Sequence, residues 1–146
     1  MYARYLVGGT AVAVGTFGLI GRRLSSPAAG SGGPNRVYLP VRNEQEFAPL
    51  ALLGGPLLAN FTFRNDPKST KLTGMLHRIV QSTSASVSLV DVEADEPGVR
   101  DLLVRYNVAS IPTVVAIKGG QPMAYYSPKE IEWENVEQWV ESVGAK

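Results

Sequence analysis

The fold of this chain is decided by one stretch, Tyr106-Asn107-Val108-Ala109-Ser110-Ile111-Pro112-Thr113-Val114-Val115-Ala116-Ile117-Lys118-Gly119-Gly120. Its apolar run from Thr113 to Ile117 is typical of a strand that is covered on both faces. The two glycines that follow predict a tight hairpin turn, so the next strand, residues 122–126, is expected to run antiparallel to the first. That second strand begins with Pro122, which lacks an amide hydrogen and therefore favours the edge of a sheet.

Alternating strand and helix patterns precede this stretch. Further strands are predicted at residues 36–39, ended by Pro40, and at residues 57–63 and 87–92. Helices are predicted to begin at Asn43 and at Asp66, because both residue types are good N-caps and Pro67 suits a first helical position. A third helix is expected from Pro97 or Gly98 to about Tyr106.

The final helix is predicted to open at Ser127, because Ser127-Pro128-Lys129-Glu130 has the form of a capping box with proline in the first helical position. The complete order is then βαβαβαββα. A helix between the second and third strands implies a right-handed parallel crossover, whereas the hairpin is antiparallel. The sequence therefore predicts an α/β domain with a central mixed sheet and helices on both faces.

Composition and charge narrow the possible functions. The chain has 146 residues, of which 45% are apolar and none is cysteine, so disulfides, thiolate metal sites and thiol nucleophiles are excluded within this polypeptide. The first 43 residues hold five arginines and no acid, whereas the remainder holds nine basic and thirteen acidic residues. A mildly acidic body argues against a nucleic-acid partner.

The first segment has the composition of a targeting signal. Residues 5–21 are uncharged and lie between arginines, and Arg22-Arg23-Leu24-Ser25 resembles the pattern at which the mitochondrial matrix peptidase often cuts. We therefore expect a mitochondrial presequence over residues 1–24. A secretory signal is an alternative, and so is retention of Tyr5 to Gly21 as an inner-membrane anchor, the only case in which a membrane would be a partner.

The rest of the chain divides into a linker and a folded domain. Residues 25–35 are rich in glycine, serine and proline and have few large apolar groups, which predicts a linker. The folded domain is expected to occupy residues 36–146.

From about Arg36 to the C-terminus, the chain resembles thioredoxin. Its Tyr106 to Thr113 segment is similar to the family's Tyr-x-Val-x-x-x-Pro-Thr string, and Asp91-Val92 also matches the family pattern. The resemblance implies a thioredoxin-like fold in which the Ile111–Pro112 bond is cis and Pro112 faces the position of the family's active site.

The resemblance also shows what this sequence lacks. The family's catalytic Cys-Gly-Pro-Cys matches Asp66-Pro67-Lys68-Ser69, and the buried aspartate that relays a proton in the family matches Asn60. Nucleophile, resolving thiol and titrating carboxylate are thus missing together, since an amide does not titrate. We expect no thiol–disulfide oxidoreductase activity, and therefore no enzyme of the family's usual kind.

The retained parts of the resemblance imply a binding function. We expect a redox-inactive domain that binds a protein or peptide, or serves as an assembly subunit, with a contact surface formed by Phe63, Asp66, Ser69, Ile111 and Pro112. No cofactor and no metal are expected. Two alternatives stay open: a glutathione-dependent or other non-thiol enzyme on the same scaffold, and a membrane-anchored adaptor.

Two groups of polar residues outside this surface are expected to be solvated. His77 is the single histidine and lies beside an apolar helical stripe, so we expect a surface side chain. A metal site is improbable with one imidazole and no thiol. Glu93, Asp95 and Glu96 are expected to form a solvated loop in which Asp95 caps the next helix.

Overall fold

The computed structural model describes residues 35–145 as one compact unit. The predicted presequence, residues 1–24, and the first ten residues of the predicted linker lie outside the described residues. Asn35, the last residue of that predicted linker, belongs to the folded unit: its side chain donates to the carbonyls of Val80 and Ala85 and accepts from the Val87 amide. Between residues 35 and 145, no helix is both long enough and apolar enough to cross a membrane.

A five-stranded mixed sheet forms the centre of the domain, in the order β1-β3-β2-β4-β5. Strands β1 and β2 both pair in parallel with β3, whereas β4 pairs antiparallel with β2 and with β5. The strands are β1 (Val37–Val41), β2 (Leu57–Thr62), β3 (Ser88–Glu93), β4 (Thr113–Lys118) and β5 (Gln121–Tyr126). The predicted mixed α/β sheet is confirmed, and Pro122 lies on an edge strand as expected.

Four α-helices cover the two faces of the sheet. They are α1 (Glu44–Ala51), α2 (Pro67–Ser82), α3 (Arg100–Arg105), which follows a 3-10 turn at Pro97–Val99, and α4 (Trp133–Gly144). Phe47 of α1 and Leu102 of α3 are buried in one core cluster, while Leu76 of α2 and Val140 of α4 are buried in the other. The two clusters give each sheet face its own apolar core.

Helices α1 and α2 begin where the sequence predicts, after the N-cap residues Asn43 and Asp66. The Asn43 side chain accepts from the Glu46 amide at 2.9 Å, and the Asp66 side chain accepts from the Ser69 amide at 3.1 Å. Each bond satisfies a donor that the first helical turn leaves unpaired. The β4–β5 turn is also as predicted, because Gly119 and Gly120 both have positive φ, 61° and 81°.

Two boundary predictions are wrong. Pro40 does not end β1, which continues to Val41 with an irregular register; β1 is an edge strand, where a missing amide donor is tolerated. The last helix does not open at Ser127 but at Trp133, so the capping-box interpretation fails. The Ser127 hydroxyl lies 3.0 Å from that of Ser110, and Ile131 is buried in a core cluster, so tertiary contacts hold this segment outside the helix.

Candidate functional site

The loop that joins β2 to α2 contains the residues that the resemblance aligns with the family's dithiol. Asp66 caps α2, and its Oδ2 accepts both the Ser69 amide, at 3.1 Å, and the Ser69 hydroxyl, at 2.7 Å. Ser69 Oγ in turn accepts from the Phe63 amide at 3.3 Å. These three bonds join Phe63, Asp66 and Ser69 into one local unit.

Ser69 lies beneath the predicted contact surface. Its side chain is fully buried, at 0% exposure, and is used in bonds to Asp66 and Phe63. We therefore correct its assignment from a contact residue to a residue that supports the loop. Phe63, by contrast, is 41% exposed and presents an aromatic ring at the end of β2.

Ion pairs hold the outer side of this loop. Arg64 Nε lies 3.0 Å from Asp95 Oδ2, and its Nη2 lies 2.8 Å from Glu96 Oε2. The hydrogen bond and charge of Asp95 raise the pKa of Arg64. Partial burial opposes ionisation of Asp95, but the Arg64 and backbone hydrogen bonds outweigh it and lower the pKa of that carboxyl.

The expectation of a solvated acidic loop is wrong for Glu93 and for the Asp95 cap, while Asp95 is exposed as expected. Asp95 does not cap the next helical turn, which begins after Glu96 without a side-chain cap. Glu93 is buried, and its Oε1 lies between two guanidinium groups, 3.4 Å from Arg42 Nε and 3.7 Å from Arg64 Nε. The carboxylates instead hold the β2–α2 loop against the loop that follows β3.

The second part of the candidate surface is the loop before β4. The Ile111–Pro112 peptide bond is cis, as the resemblance implies. Phe61 pairs with Thr113 in the antiparallel β2–β4 ladder, so the loop after β2 and the loop before β4 lie at the same end of the sheet. Pro112 is buried, so it is corrected, like Ser69, from a contact residue to a residue that supports the loop. Ile111 is half-buried against the core. Among Phe63, Ile111 and Pro112, Phe63 is the exposed residue.

Hydroxyl groups fix the shape of this second loop. Thr113 Oγ1 donates to the Ser110 carbonyl at 2.6 Å, and Ser110 Oγ and Ser127 Oγ are 3.0 Å apart. The loop before β4 is therefore tied to the segment after β5. Both sides of the candidate surface are held in place by hydrogen bonds before any ligand binds.

A buried polar network lies behind the surface, and sequence reasoning missed half of it. Asn60 Nδ2 donates to Asp91 Oδ1 at 3.0 Å and to Thr73 Oγ1 at 2.8 Å, while His77 Nε2 lies 2.8 Å from Asp91 Oδ2. The prediction of a solvated His77 is wrong, because its imidazole is paired and only 35% exposed. Two signals pointed to the network: Asn60 and Asp91 occupy neighbouring parallel strands, and Thr73 and His77 are four residues apart on a helix.

The hydroxyl of this network, on Thr73, is used in hydrogen bonds within the fold. A histidine–carboxylate pair activates a hydroxyl only when that hydroxyl is within reach and free. Thr73 Oγ1 already accepts from Asn60 and lies 3.5 Å from Thr62 Oγ1, so its partners belong to the fold. Within residues 35–145, no group of three or more His, Asp or Glu side chains is arranged to hold a metal ion.

Comparison with solved structures identifies the fold. A thioredoxin mutant from Halobacterium salinarum superposes with a TM-score of 0.64 at 17% identity, covering 79% of this chain and 96% of its own. Thioredoxin O2 from Arabidopsis thaliana, in its oxidised state, gives 0.61 at 18% identity over 73% and 93% of the two chains. The Malassezia sympodialis thioredoxin gives 0.60 at 16% identity over 81% and 97%.

These similarities define a protein with a thioredoxin-like fold. At such identities they establish the architecture alone. No family model and no curated sequence matches this chain. Its sequence departs from a thiol reductase at the decisive point, since it contains no cysteine.

Proposed function

We propose that this chain is a redox-inactive, thioredoxin-like protein of mitochondria that binds an extended polypeptide segment. The binding surface would be formed by the Phe63 ring, the loop up to Asp66, and the half-buried Ile111, which is supported by the buried Pro112. The observation that carries the proposal is that Phe63, which is 41% exposed, and the loop before β4 lie at the same end of the sheet. An exposed aromatic ring on a rigid framework is a typical anchor for a protein partner.

The proposal needs no thiol chemistry. With no cysteine in the sequence, the retained site offers shape, an aromatic anchor and backbone groups. The mitochondrial part rests on the arginine-rich, acid-free first 43 residues and on the string Arg22-Arg23-Leu24-Ser25. N-terminal sequencing of the native protein tests it, because a start near Ser25 excludes a retained anchor, whereas an intact Tyr5 to Gly21 segment supports the adaptor alternative.

Site-specific photo-crosslinking tests the binding proposal. A photoreactive phenylalanine analogue placed at Phe63 in the full chain should crosslink a polypeptide in isolated mitochondria. The matched control carries the same analogue at Val104, which is 77% exposed on α3. A crosslinked product at position 63 that is missing at position 104 supports the proposal, and identical products at both positions would contradict it.

The glutathione-dependent alternative gains no support from the site. Ser69, the hydroxyl at the family's second cysteine position, is buried and hydrogen-bonded to Asp66, so it is not available as a nucleophile. Calorimetric titration of the purified chain with glutathione tests this alternative separately. Saturable binding would revive it, and a flat titration would remove it.

A further inference from the structure

Helix α2 differs in charge from the rest of the domain. Residues 35–145 hold ten Lys and Arg against thirteen Asp and Glu, yet α2 carries Lys68, Lys71 and Arg78 and no carboxylate. Each of the other three α-helices contains at least one Asp or Glu. The first turns of α2 are therefore a local basic surface on an acidic domain.

An open groove of about 510 Å³ lies along this basic surface. Three of its seven lining residues are lysines: Lys68 and Lys71 on α2, and Lys129 from the segment after β5. All three are exposed, and none forms an ion pair with another residue of the described domain. Their ammonium groups are available to a ligand.

The facing wall of the groove restricts where an anion would lie. Glu130 and Glu132 line it together with Ile131, and Glu132 accepts a hydrogen bond from Asn135 at 3.1 Å. These carboxylates repel an acidic ligand and favour its contact with Lys68 and Lys71 on α2, while Lys129 is the one cation on the segment that carries the two glutamates. Lys68 and Lys71 are one helical turn apart on the same face, with Cβ atoms about 5–6 Å apart.

The groove is continuous in sequence with the candidate surface, since Pro67 and Lys68 directly follow Asp66. We propose that this groove selects acidic polypeptides: the segment that contacts Phe63 continues along α2 and places carboxylates against Lys68, Lys71 and Lys129. Alternate residues of an extended chain point the same way about 7 Å apart, which long lysine side chains one turn apart can reach. This inference rests on the proposed polypeptide-binding function and names the class of ligand.

Fluorescence anisotropy with three labelled peptides tests the selectivity. All three share one Gly/Ser/Leu framework and carry Glu, Gln or Lys at the same alternate positions. The full chain should bind the Glu peptide about tenfold more tightly than the Gln peptide, because three exposed charge pairs each contribute modestly. Raising the ionic strength from about 0.01 M to about 1 M shortens the screening length from about 30 Å to about 3 Å and should remove this preference.

Charge-neutralising variants identify the residues that cause the preference for the Glu peptide. The triple change Lys68→Gln, Lys71→Gln and Lys129→Gln should abolish the preference for Glu, whereas Lys118→Gln, at the distant β4–β5 turn, should leave it intact. Replacing Glu130 and Glu132 by Gln should strengthen binding of the Glu peptide. Equal binding of the Glu and Gln peptides would overturn the inference, as would an equal loss in the Lys118 control.

A Phe63→Ala variant separates this inference from the proposed function. It should weaken binding of the Glu peptide and of the Gln peptide by the same factor, because Phe63 contacts the Gly/Ser/Leu framework that both peptides share and not their charged side chains. If binding depends on Phe63 but the Glu peptide is not preferred, the inference of acidic selectivity is overturned and the proposed polypeptide-binding function stands. Failure of all three peptides to bind contradicts the proposed function, and the inference with it.

Discussion

Asp66 holds the start of α2 and the preceding loop in one arrangement. Its Oδ2 accepts from the amide and the hydroxyl of Ser69, whose own oxygen accepts from the Phe63 amide. A single carboxylate thus connects the helix cap to the backbone of the exposed anchor residue. At the position that the resemblance aligns with the family's first cysteine, a carboxylate caps a helix.

Asp66→Ala should therefore destabilise the domain by about 0.5–2 kcal/mol, because the N-cap is lost and a buried hydroxyl loses its acceptor. Asp66→Asn is the matched control, since it keeps an oxygen acceptor and should lose less. Urea unfolding measures both. Equal stability of the Ala variant and the parent chain would show that these bonds contribute nothing.

The resemblance aligns Asn60 with the buried aspartate of thioredoxins. Asn60→Asp would place a second carboxylate about where an amide now donates to Asp91 at 3.0 Å. We expect a loss of about 1–3 kcal/mol near neutral pH, because a buried donor disappears and two like charges meet. Asn60→Leu is the comparison that removes the donor without adding charge.

The loss in the Asn60→Asp variant should depend on pH. Proximity to a second carboxylate raises the pKa of the introduced carboxyl in the folded state, so stability is retained in acid and falls as pH rises through that value. Unfolding curves at mildly acidic and neutral pH measure the effect. A loss that is the same at both pH values, as in the Leu variant, would contradict the charge argument.

At the scale of elements, alanine substitutions at two glycines are expected to change the stability of the domain in opposite directions. A Cβ at Gly98 would lie 2.6 Å from the Arg42 carbonyl oxygen, so the backbone of two segments meets there too closely for a side chain. Gly74 is an exposed position inside α2, where an added methyl group would meet no neighbouring segment within 4 Å. Gly98→Ala should destabilise the domain by about 1–3 kcal/mol, whereas Gly74→Ala should stabilise it by about 0.5–1 kcal/mol. Thermal unfolding that ranks the two variants in the reverse order would refute this packing.

The β4–β5 hairpin is tied to two helices through Tyr106 and Gly120. The Tyr106 hydroxyl donates to the Gly120 carbonyl at 2.9 Å, and the Gly120 amide donates to the Ala51 carbonyl at 2.9 Å. Burial raises the pKa of the Tyr106 phenol. The end of α3, the end of α1 and the hairpin turn are thus joined at one point.

Tyr106→Phe should lower stability by about 1 kcal/mol at neutral pH, because one hydrogen bond is lost. Above about pH 10 the unfolded phenol ionises while the folded one retains its proton, so the parent chain loses stability as pH rises towards the raised folded value. The variant has no phenol at this position to ionise, so the difference in unfolding free energy between the parent chain and the variant should become smaller above about pH 10. Parallel declines of the two proteins would argue against a proton held by the fold.

Sequence reasoning succeeded where the determining contacts are local. The caps at Asn43 and Asp66 and the hairpin glycines use groups within four residues, and each was predictable from spacing alone. It failed at the start of α4, because the Ser127 hydroxyl contacts Ser110 and Ile131 enters the core. Similarly, the His77–Asp91 pair joins residues fourteen positions apart, which no local pattern shows.

At the scale of the whole molecule, the chain has a thioredoxin-like fold without the cysteines that the usual reaction of thioredoxins requires. The sheet order, the cis Ile111–Pro112 bond and the two-sided helical cover are those of a thioredoxin-like domain, while the sequence offers no thiol. The candidate site was partly predictable: Phe63, Asp66 and Ile111 were placed at one end of the sheet, but the burial of Ser69 and Pro112 was not foreseen. Burial depends on how α2 packs against β2, which spacing does not reveal.

Hydrogen exchange tests the central claim, that this end of the sheet binds polypeptide without thiol chemistry, most directly. The amides of residues 63–66 and 110–111 would be monitored in the full chain with and without a denatured, fully alkylated polypeptide that has no free thiol. We predict slower exchange in these two loops on binding, with no change at Val104 on the exposed side of α3. Unchanged exchange in both loops, or protection confined to other surfaces, would contradict the account.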